Sequence, residues 1–138
     1  MEDGVEVNGQ EQVSGTLEIK ADKRSYAPGE TALITVKGID MKDVNALSFA
    51  LPYDAQQWEF AGIEAIGLKQ MENLTYDRLH TNGTKALYPT FVNLGNKETL
   101  EGSQDLFIIK LKAQKKGSFN LKMMDGILVD KLLNEMKF

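Results

Sequence analysis

The chain has 138 residues, the size of one ordinary domain, which is long enough to bury a hydrophobic core without metal or disulfide support. Its 16 Lys and Arg residues are scattered among 20 Asp and Glu residues, with a formal net charge of -4, so no basic stripe is available to bind nucleic acid. The absence of cysteine excludes a disulfide framework, a thiolate nucleophile and a cysteine-based zinc site.

Residues 1–15, MEDGVEVNGQEQVSG, are polar and have the composition of a linker. They contain no apolar segment of the kind found in secretory signals, and no part of the sequence approaches the ~20 apolar residues of a membrane span. A strand-like pattern continues to Phe138. We therefore expect residues 16–138 to be one module of a longer exported protein, with any export signal upstream.

Four segments in the first half of the chain alternate apolar with polar residues, which is the pattern of half-buried β-strands. They are residues 16–22, 31–40, 46–53 and 58–63. Between the first two, Pro28 and Gly29 predict a turn, because proline presets φ and glycine tolerates a positive φ. Residues 64–73 could form a short helical turn, although Gly67 in the middle disfavours it.

A β-hairpin is predicted for residues 75–80 and 85–94, since Asn82 and Gly83 between two strand-like segments favour a tight turn. Pro89 lies within the second segment and has no N–H to donate, so we expect a bulge or a local break there. The remaining segments are a polar loop at 95–104 and predicted strands at 105–114, 118–124, 125–130 and 134–138.

Many short strands at a spacing of roughly 8 to 12 residues predict an all-β fold, which we interpret as a β-sandwich. On the strand at 46–53, the outward-facing residues Ala46, Ser48 and Ala50 form a small, flat and uncharged surface. The expected core contains the inward-facing apolar residues Leu17, Ile19, Ile34, Val36, Leu47, Phe49, Leu51, Trp58, Phe60, Phe91, Phe107, Ile109 and Leu111.

The sequence has no P-loop, nucleophile elbow, zinc-protease motif or calcium-loop motif. His80 is the only histidine, and beside a hairpin turn it is more simply a surface or edge-strand residue than part of a catalytic triad. Asp125, Asp130 and Glu135 flank the last strands and could ligate calcium, but solvated turn carboxylates are the simpler interpretation. We therefore expect no catalytic residues, no metal and no cofactor.

Four aromatic residues, Tyr53, Trp58, Tyr76 and Tyr88, are candidates for a platform on which sugar rings stack. Trp58 alternates with polar neighbours in a strand-like segment, so core packing is favoured for it. A carbohydrate-binding module is therefore an alternative function, and exposure of Tyr76 and Tyr88 would favour it.

The sequence resembles the cohesin modules of bacterial glycan-degrading systems from about Leu17 to Phe138. The resemblance is carried by APGET at 27–31, VNALSFALPYDAQQWEFAGI at 44–63, the glycine-bearing loop before LFIIKLKAQ, the KKGSF turn and DGILVD. It implies a nine-stranded β-sandwich of jelly-roll topology. The sequence is most similar to the divergent modules appended to large secreted glycosidases, notably in gut Bacteroidetes and Clostridia.

The resemblance implies a non-catalytic module that binds a dockerin-type module, within a larger secreted, periplasmic or cell-surface glycan-degrading enzyme or complex. It also implies that one sheet face receives the dockerin helices, for which small residues allow close approach. The binding residues expected on this face are Ala46, Ser48, Ala50, Tyr88, Thr90, Ile108 and Lys110.

Many dockerin-binding cohesins carry Asn and Asp at the positions that match Ala46 and Ser48, so charge-assisted contacts are missing here. Three alternatives to dockerin binding stay open. The module could contact a glycan or a neighbouring domain of the same enzyme, or it could serve only as a structural spacer.

Overall fold

The structure, a computed structural model, describes residues 13–68, 70–79, 84–95 and 97–138. These residues contain no helix, and so none that is long and apolar enough to cross a membrane. The strands are β1 (Ser14–Ala21), β2 (Thr31–Val44), β3 (Ala46–Asp54), β4 (Trp58–Ala65), β5 (Glu72–Asn73), β6 (Tyr76–Leu79), β7 (Thr84–Tyr88), β8 (Thr90–Val92), β9 (Leu100–Ala113), β10 (Met124–Val129) and β11 (Glu135–Lys137).

Two antiparallel sheets are formed by these strands, which confirms the predicted all-β sandwich. One sheet has the order β1-β2-β9-β4, and the other has the order β11-β10-β3-β7-β6, with β8 pairing with β3 and β5 pairing with β8. The described residues form eleven strands and not nine, because β5 is added and because β7 and β8 are separate. β1 begins at Ser14, inside the predicted linker 1–15. Residues 1–12, His80 and the predicted Asn82-Gly83 turn lie outside the described residues.

Pro89 separates β7 from β8, as the missing N–H of proline predicts. The break does not shift the pairing with β3, since Leu51 lies opposite Leu87 on one side and Ser48 lies opposite Thr90 on the other. The Pro89 carbonyl still accepts a hydrogen bond from the Phe49 N–H at 3.3 Å. The predicted disturbance is therefore a local break in the strand and not a bulge.

Three local predictions are wrong. The described residues of the segment 64–73 contain no helix, because the N–H groups of Ile66 and Gly67 both donate to the Leu106 carbonyl of β9 at 2.9 Å. A Cβ at residue 67 would lie 2.7 Å from the Asp105 carbonyl oxygen, so this close approach requires glycine. The predicted loop 95–104 ends early, because β9 begins at Leu100 and pairs with a β2 that extends to Val44.

The third wrong prediction is a strand at residues 118–124. Only Met124 of this segment belongs to a strand, and residues 118–123 have no strand pairing among the described residues. The alternation still has a structural basis, since Phe119, Leu121 and Met123 pack against the core. The Phe119 ring meets the Trp58 ring edge to face, with centroids 6.4 Å apart. This extended segment therefore covers one end of the core without joining a sheet.

Aromatic side chains join the two sheets at the centre of the core. Phe49 and Phe91 belong to one sheet, and their rings lie 6.3 Å and 4.7 Å from the ring of Phe107 in the other sheet. All three side chains are no more than 1% exposed. Every residue of the predicted core is buried except Ile19 and Phe60, which are half-buried. The alternation in the sequence thus identifies the core correctly.

Replacement of Phe49 by Ala should lower the free energy of unfolding by about 3–5 kcal/mol, because it removes a buried ring and leaves a cavity between the sheets. Urea denaturation followed by tryptophan fluorescence measures the loss. The matched control is Leu94→Ala, since the Leu94 side chain is 56% exposed and its truncation should change stability by less than about 0.5 kcal/mol. Equal losses in the free energy of unfolding for Phe49→Ala and Leu94→Ala would contradict the core position of Phe49.

Candidate docking face

β3 has one face in the core and one face outward. Leu47, Phe49 and Leu51 are at most 1% exposed, so the alternate residues point away from the core. We define the β3 face as eight outward-facing residues of β3 and its neighbours: Ala46, Ser48, Ala50, Tyr88, Thr90, Val92, Ile127 and Val129.

Cross-strand pairing arranges the β3 face in rows. The first row is Val129, Ala46 and Val92, the second is Ile127, Ser48 and Thr90, and the third is Ala50 and Tyr88. Met124, beyond an irregularity in β10, borders Ala50 outside these rows. Tyr88 takes its place opposite Ala50 because the register is the same on both sides of Pro89. Seven of the eight residues are half-buried, whereas Ala50 is only 4% exposed between two larger neighbours.

The centre of the β3 face is polar only through two hydroxyl groups. The Thr90 hydroxyl donates to the Tyr88 carbonyl at 3.0 Å, so the Ser48 hydroxyl is the donor in its own contact with Thr90 Oγ1, also 3.0 Å. The Thr90 N–H donates to Thr75 Oγ1 at 3.1 Å. These hydrogen bonds hold the two hydroxyl groups in place. The Ser48–Thr90 pair at the centre of the face is therefore surrounded by apolar side chains.

Charged side chains lie at the borders of the β3 face and not within its rows. On one border, β11 places Glu135 opposite Val129 and Lys137 opposite Ile127. On the other border, β5 places Glu72 opposite Val92, and Arg78 of β6 lies opposite Ala86. A partner that covers the rows would therefore meet apolar and hydroxyl groups at the centre and charges only at the two sides.

A tyrosine pair forms the side of the β3 face toward β6. The rings of Tyr76 and Tyr88 are stacked, with centroids 4.8 Å apart and an interplanar angle of 15°, and Tyr76 is 50% exposed. The other two candidates for a sugar-stacking platform are inside the sandwich, since Tyr53 and Trp58 are each 2% exposed. The core position predicted for Trp58 is confirmed.

Ile108 and Lys110 do not lie on the β3 face, which corrects the predicted set of binding residues. Both belong to β9 in the other sheet, and they face outward on the opposite side of the sandwich. Lys110 Nζ lies 3.3 Å from Glu64 Oε1 of β4 there. Alternation identifies the outward residues of β9 but does not indicate which sheet the strand joins.

Ile127, Val129 and Val92 belong to the β3 face but were not among the predicted binding residues. Ile127 and Val129 alternate with buried Leu128, so the pattern in DGILVD already indicated an outward pair. What the pattern did not show is that β10, and not β9, belongs to the sheet that contains β3.

No protein-family model matches the chain, and no curated protein matches it. Solved structures do match. A type II cohesin domain from the cellulosome of Acetivibrio cellulolyticus is 12% identical, with 89% of this chain and 88% of that chain covered and a TM-score of 0.70. The cohesin module of a family 33 glycoside hydrolase from Clostridium perfringens is 15% identical, with coverages of 92% and 90% and a TM-score of 0.67. The cohesin of a type I cohesin–dockerin complex from Clostridium thermocellum is 16% identical, with coverages of 88% and 91% and a TM-score of 0.62.

This chain has the cohesin fold. The likeness extends over nearly the whole of each chain, so the resemblance seen in the sequence is confirmed at the level of the fold.

The loop between β10 and β11 of this cohesin fold is organised by Asp130. Asp130 Oδ1 accepts hydrogen bonds from the N–H groups of Leu132 at 2.9 Å and Asn134 at 2.8 Å, and Oδ2 accepts one from Asn134 Nδ2 at 2.9 Å. The residue is 1% exposed, so the prediction of a solvated turn carboxylate is wrong. Because its two oxygens are used as acceptors within the loop, Asp130 fixes the loop conformation.

Hydrogen bonding controls the ionisation of Asp130. Burial by itself raises the pKa of the carboxyl group, but the hydrogen bonds from the Asn134 side chain and from the N–H groups of Asn134 and Leu132 outweigh burial, so the pKa of Asp130 is lowered. Because the pKa is lower in the folded chain than in the unfolded chain, ionised Asp130 stabilises the fold above the unfolded pKa. This contribution is lost as the pH falls through the folded pKa.

The variant Asp130→Ala should be less stable than the wild type by about 1–3 kcal/mol at pH 7, because the three loop donors lose their acceptor. The difference should narrow as the pH falls from the ordinary aspartate pKa toward the lower pKa of folded Asp130, because protonation of the wild-type carboxylate removes its stabilising contribution. Thermal melting of both proteins between pH 7 and pH 3 measures the difference. Asp105→Ala, at an exposed carboxylate of β9, is the control. Equal melting temperatures at pH 7 for Asp130→Ala and the wild type would contradict this role.

Proposed function

We propose that the chain is a non-catalytic protein-binding module that receives a helical partner of the dockerin type on the β3 face. The observation that carries this proposal is the set of rows around Ala46 and Ser48, which are small, uncharged and flanked by charges. The cohesin fold supports it, because a neighbour with that fold is the cohesin of a cohesin–dockerin complex.

The dimensions of the β3 face fit one helix. Neighbouring strands are ~4.8 Å apart, so β10, β3 and β8 span about 10 Å between their axes, close to the 10–12 Å diameter of a helix with its side chains. From Ala46 to Ala50 the strand extends about 13 Å, or a little over two helical turns. Small side chains along this length let the helix backbone approach the sheet closely.

We also infer that the module belongs to a larger exported glycan-degrading enzyme or complex, in which it links the parent protein to a dockerin-bearing polypeptide. A neighbour with the same fold is a module of a family 33 glycoside hydrolase, which supports this inference. In this setting the module contributes attachment, and the chemistry belongs to the protein that it connects.

The variant Ser48→Arg should abolish binding to a dockerin module. A large charged side chain in the second row blocks close approach of a helix and would be buried without a partner. The experiment measures retention of purified type I and type II dockerin modules on the immobilised wild type and variant. Folding should persist, since Ser48 is half-buried and loses one neutral hydrogen bond, which costs about 0.5–1.5 kcal/mol.

The matched control is Thr35→Arg. Thr35 is also a half-buried hydroxyl residue of a central strand, but it lies on the outer face of the other sheet opposite Ile108. This variant should bind as the wild type does. Retention of no dockerin module by the wild type, or equal loss of binding in both variants, would contradict the proposal. A glycan retained through Tyr76 in place of a dockerin would identify a carbohydrate-binding module instead.

A further inference from the structure

The loop between β10 and β11 exposes two adjacent leucine side chains. Leu132 is 80% exposed and Leu133 is 78% exposed, the largest exposures of any large apolar residue among the described residues. Exposed leucines in adjacent positions cost solubility, and contiguous apolar surface of this kind marks sites of association. We define Leu132 and Leu133 as the leucine tip.

The leucine tip is held in a fixed conformation. The Leu132 N–H donates to the Asp130 carboxylate at 2.9 Å, and the Leu133 N–H donates to the Asp130 carbonyl at 3.1 Å. Leu133 has a φ of 68°, in the left-handed region that asparagine and glycine adopt more readily than leucine. The sequence thus has a leucine at a position where the local backbone favours glycine or asparagine.

The leucine tip lies at one end of the β3 face. Val129 is the last residue of β10 and lies in the first row, opposite Ala46, and Glu135 of β11 lies opposite Val129 on the other side. The loop that joins these two strands therefore leaves the sheet at the end of the first row. A helix lying along β3 toward Ala46 would reach this loop as it passes the end of the sheet.

We propose that the leucine tip is an apolar anchor for the same helical partner, and that this partner presents an uncharged aliphatic groove or ridge next to the helix that lies on β3. The inference rests on the proposed function and adds the chemistry of the partner. The rows of the β3 face and the leucine tip contain no charged residue, so the central contacts are apolar. Charged groups of the partner meet residues at the borders, which are Glu72, Arg78, Lys131, Glu135 and Lys137.

Binders selected from a library displayed on a three-helix bundle provide the test, since they do not require the natural partner. Such a library samples the whole surface, and the enriched clones bind where apolar contacts become fully desolvated. The clones are selected on the immobilised wild type. Their dissociation constants are then measured against the wild type, the double variant Leu132→Ser/Leu133→Asn, Ser48→Arg and the control Leu33→Thr, which lies on the outer face of the other sheet.

We expect most clones to lose at least about 10-fold in affinity for the double variant, because two leucine side chains leave the interface. The same clones should fail to bind Ser48→Arg and should bind Leu33→Thr as tightly as the wild type. The melting temperature of the double variant should equal or exceed that of the wild type, since asparagine adopts the backbone conformation of residue 133 more readily than leucine.

Three other results would contradict the anchor, and one of them would also contradict the proposed face. Clones that require Ser48 but bind the double variant normally would overturn the anchor and leave the proposed function standing. Clones that bind both variants normally would overturn the anchor and the proposed face together. A concentration-dependent dimer of the wild type that the double variant abolishes would assign the leucine tip to a second copy of this chain and would also overturn the proposal.

Discussion

The contact of Phe49 and Phe91 with Phe107 is the constraint on which the rest of the structure depends. It fixes which residues of β3 point inward, and a shift of one residue would turn every side chain of the strand to the opposite face. Because Phe49 is buried, Ser48 and Ala50 must face outward beside Thr90 and Tyr88. The shape of the β3 face is therefore a consequence of the register that the core requires.

The uncharged rows determine how this face can bind. A surface without charges at its centre obtains affinity from desolvation and close packing, whereas bordering charges mainly influence orientation and the rate of encounter. The loop that Asp130 fixes also exposes apolar side chains, because its hydrogen bonds are internal and Leu132 and Leu133 lie at its tip beside the exposed Lys131. The β3 face and the leucine tip are the two parts of the surface that we propose the partner covers.

The sequence predicts features with a local cause. Alternation identified the core and the outward position of Ala46 and Ser48, and the missing N–H of Pro89 predicted the break in its strand. Long-range features could not be predicted in this way. The placement of Ile108 in the other sheet depends on which strands become neighbours, and the burial of Asp130 depends on hydrogen bonds from its own loop. The alternation of apolar and polar residues is the same whichever strand becomes the neighbour and whichever way a turn carboxylate points.

The most direct test of the central claim is methyl NMR of the module bound to a dockerin module or to a selected helical binder. The account predicts that the methyl signals of Ala46, Ala50, Ile127, Val129 and Leu133 shift on binding, while those of Leu33 and Ile108 on the opposite side of the sandwich stay unchanged. Shifts confined to Leu33, Ile108 and their neighbours on β2 and β9 would contradict the claim that the partner docks on the β3 face.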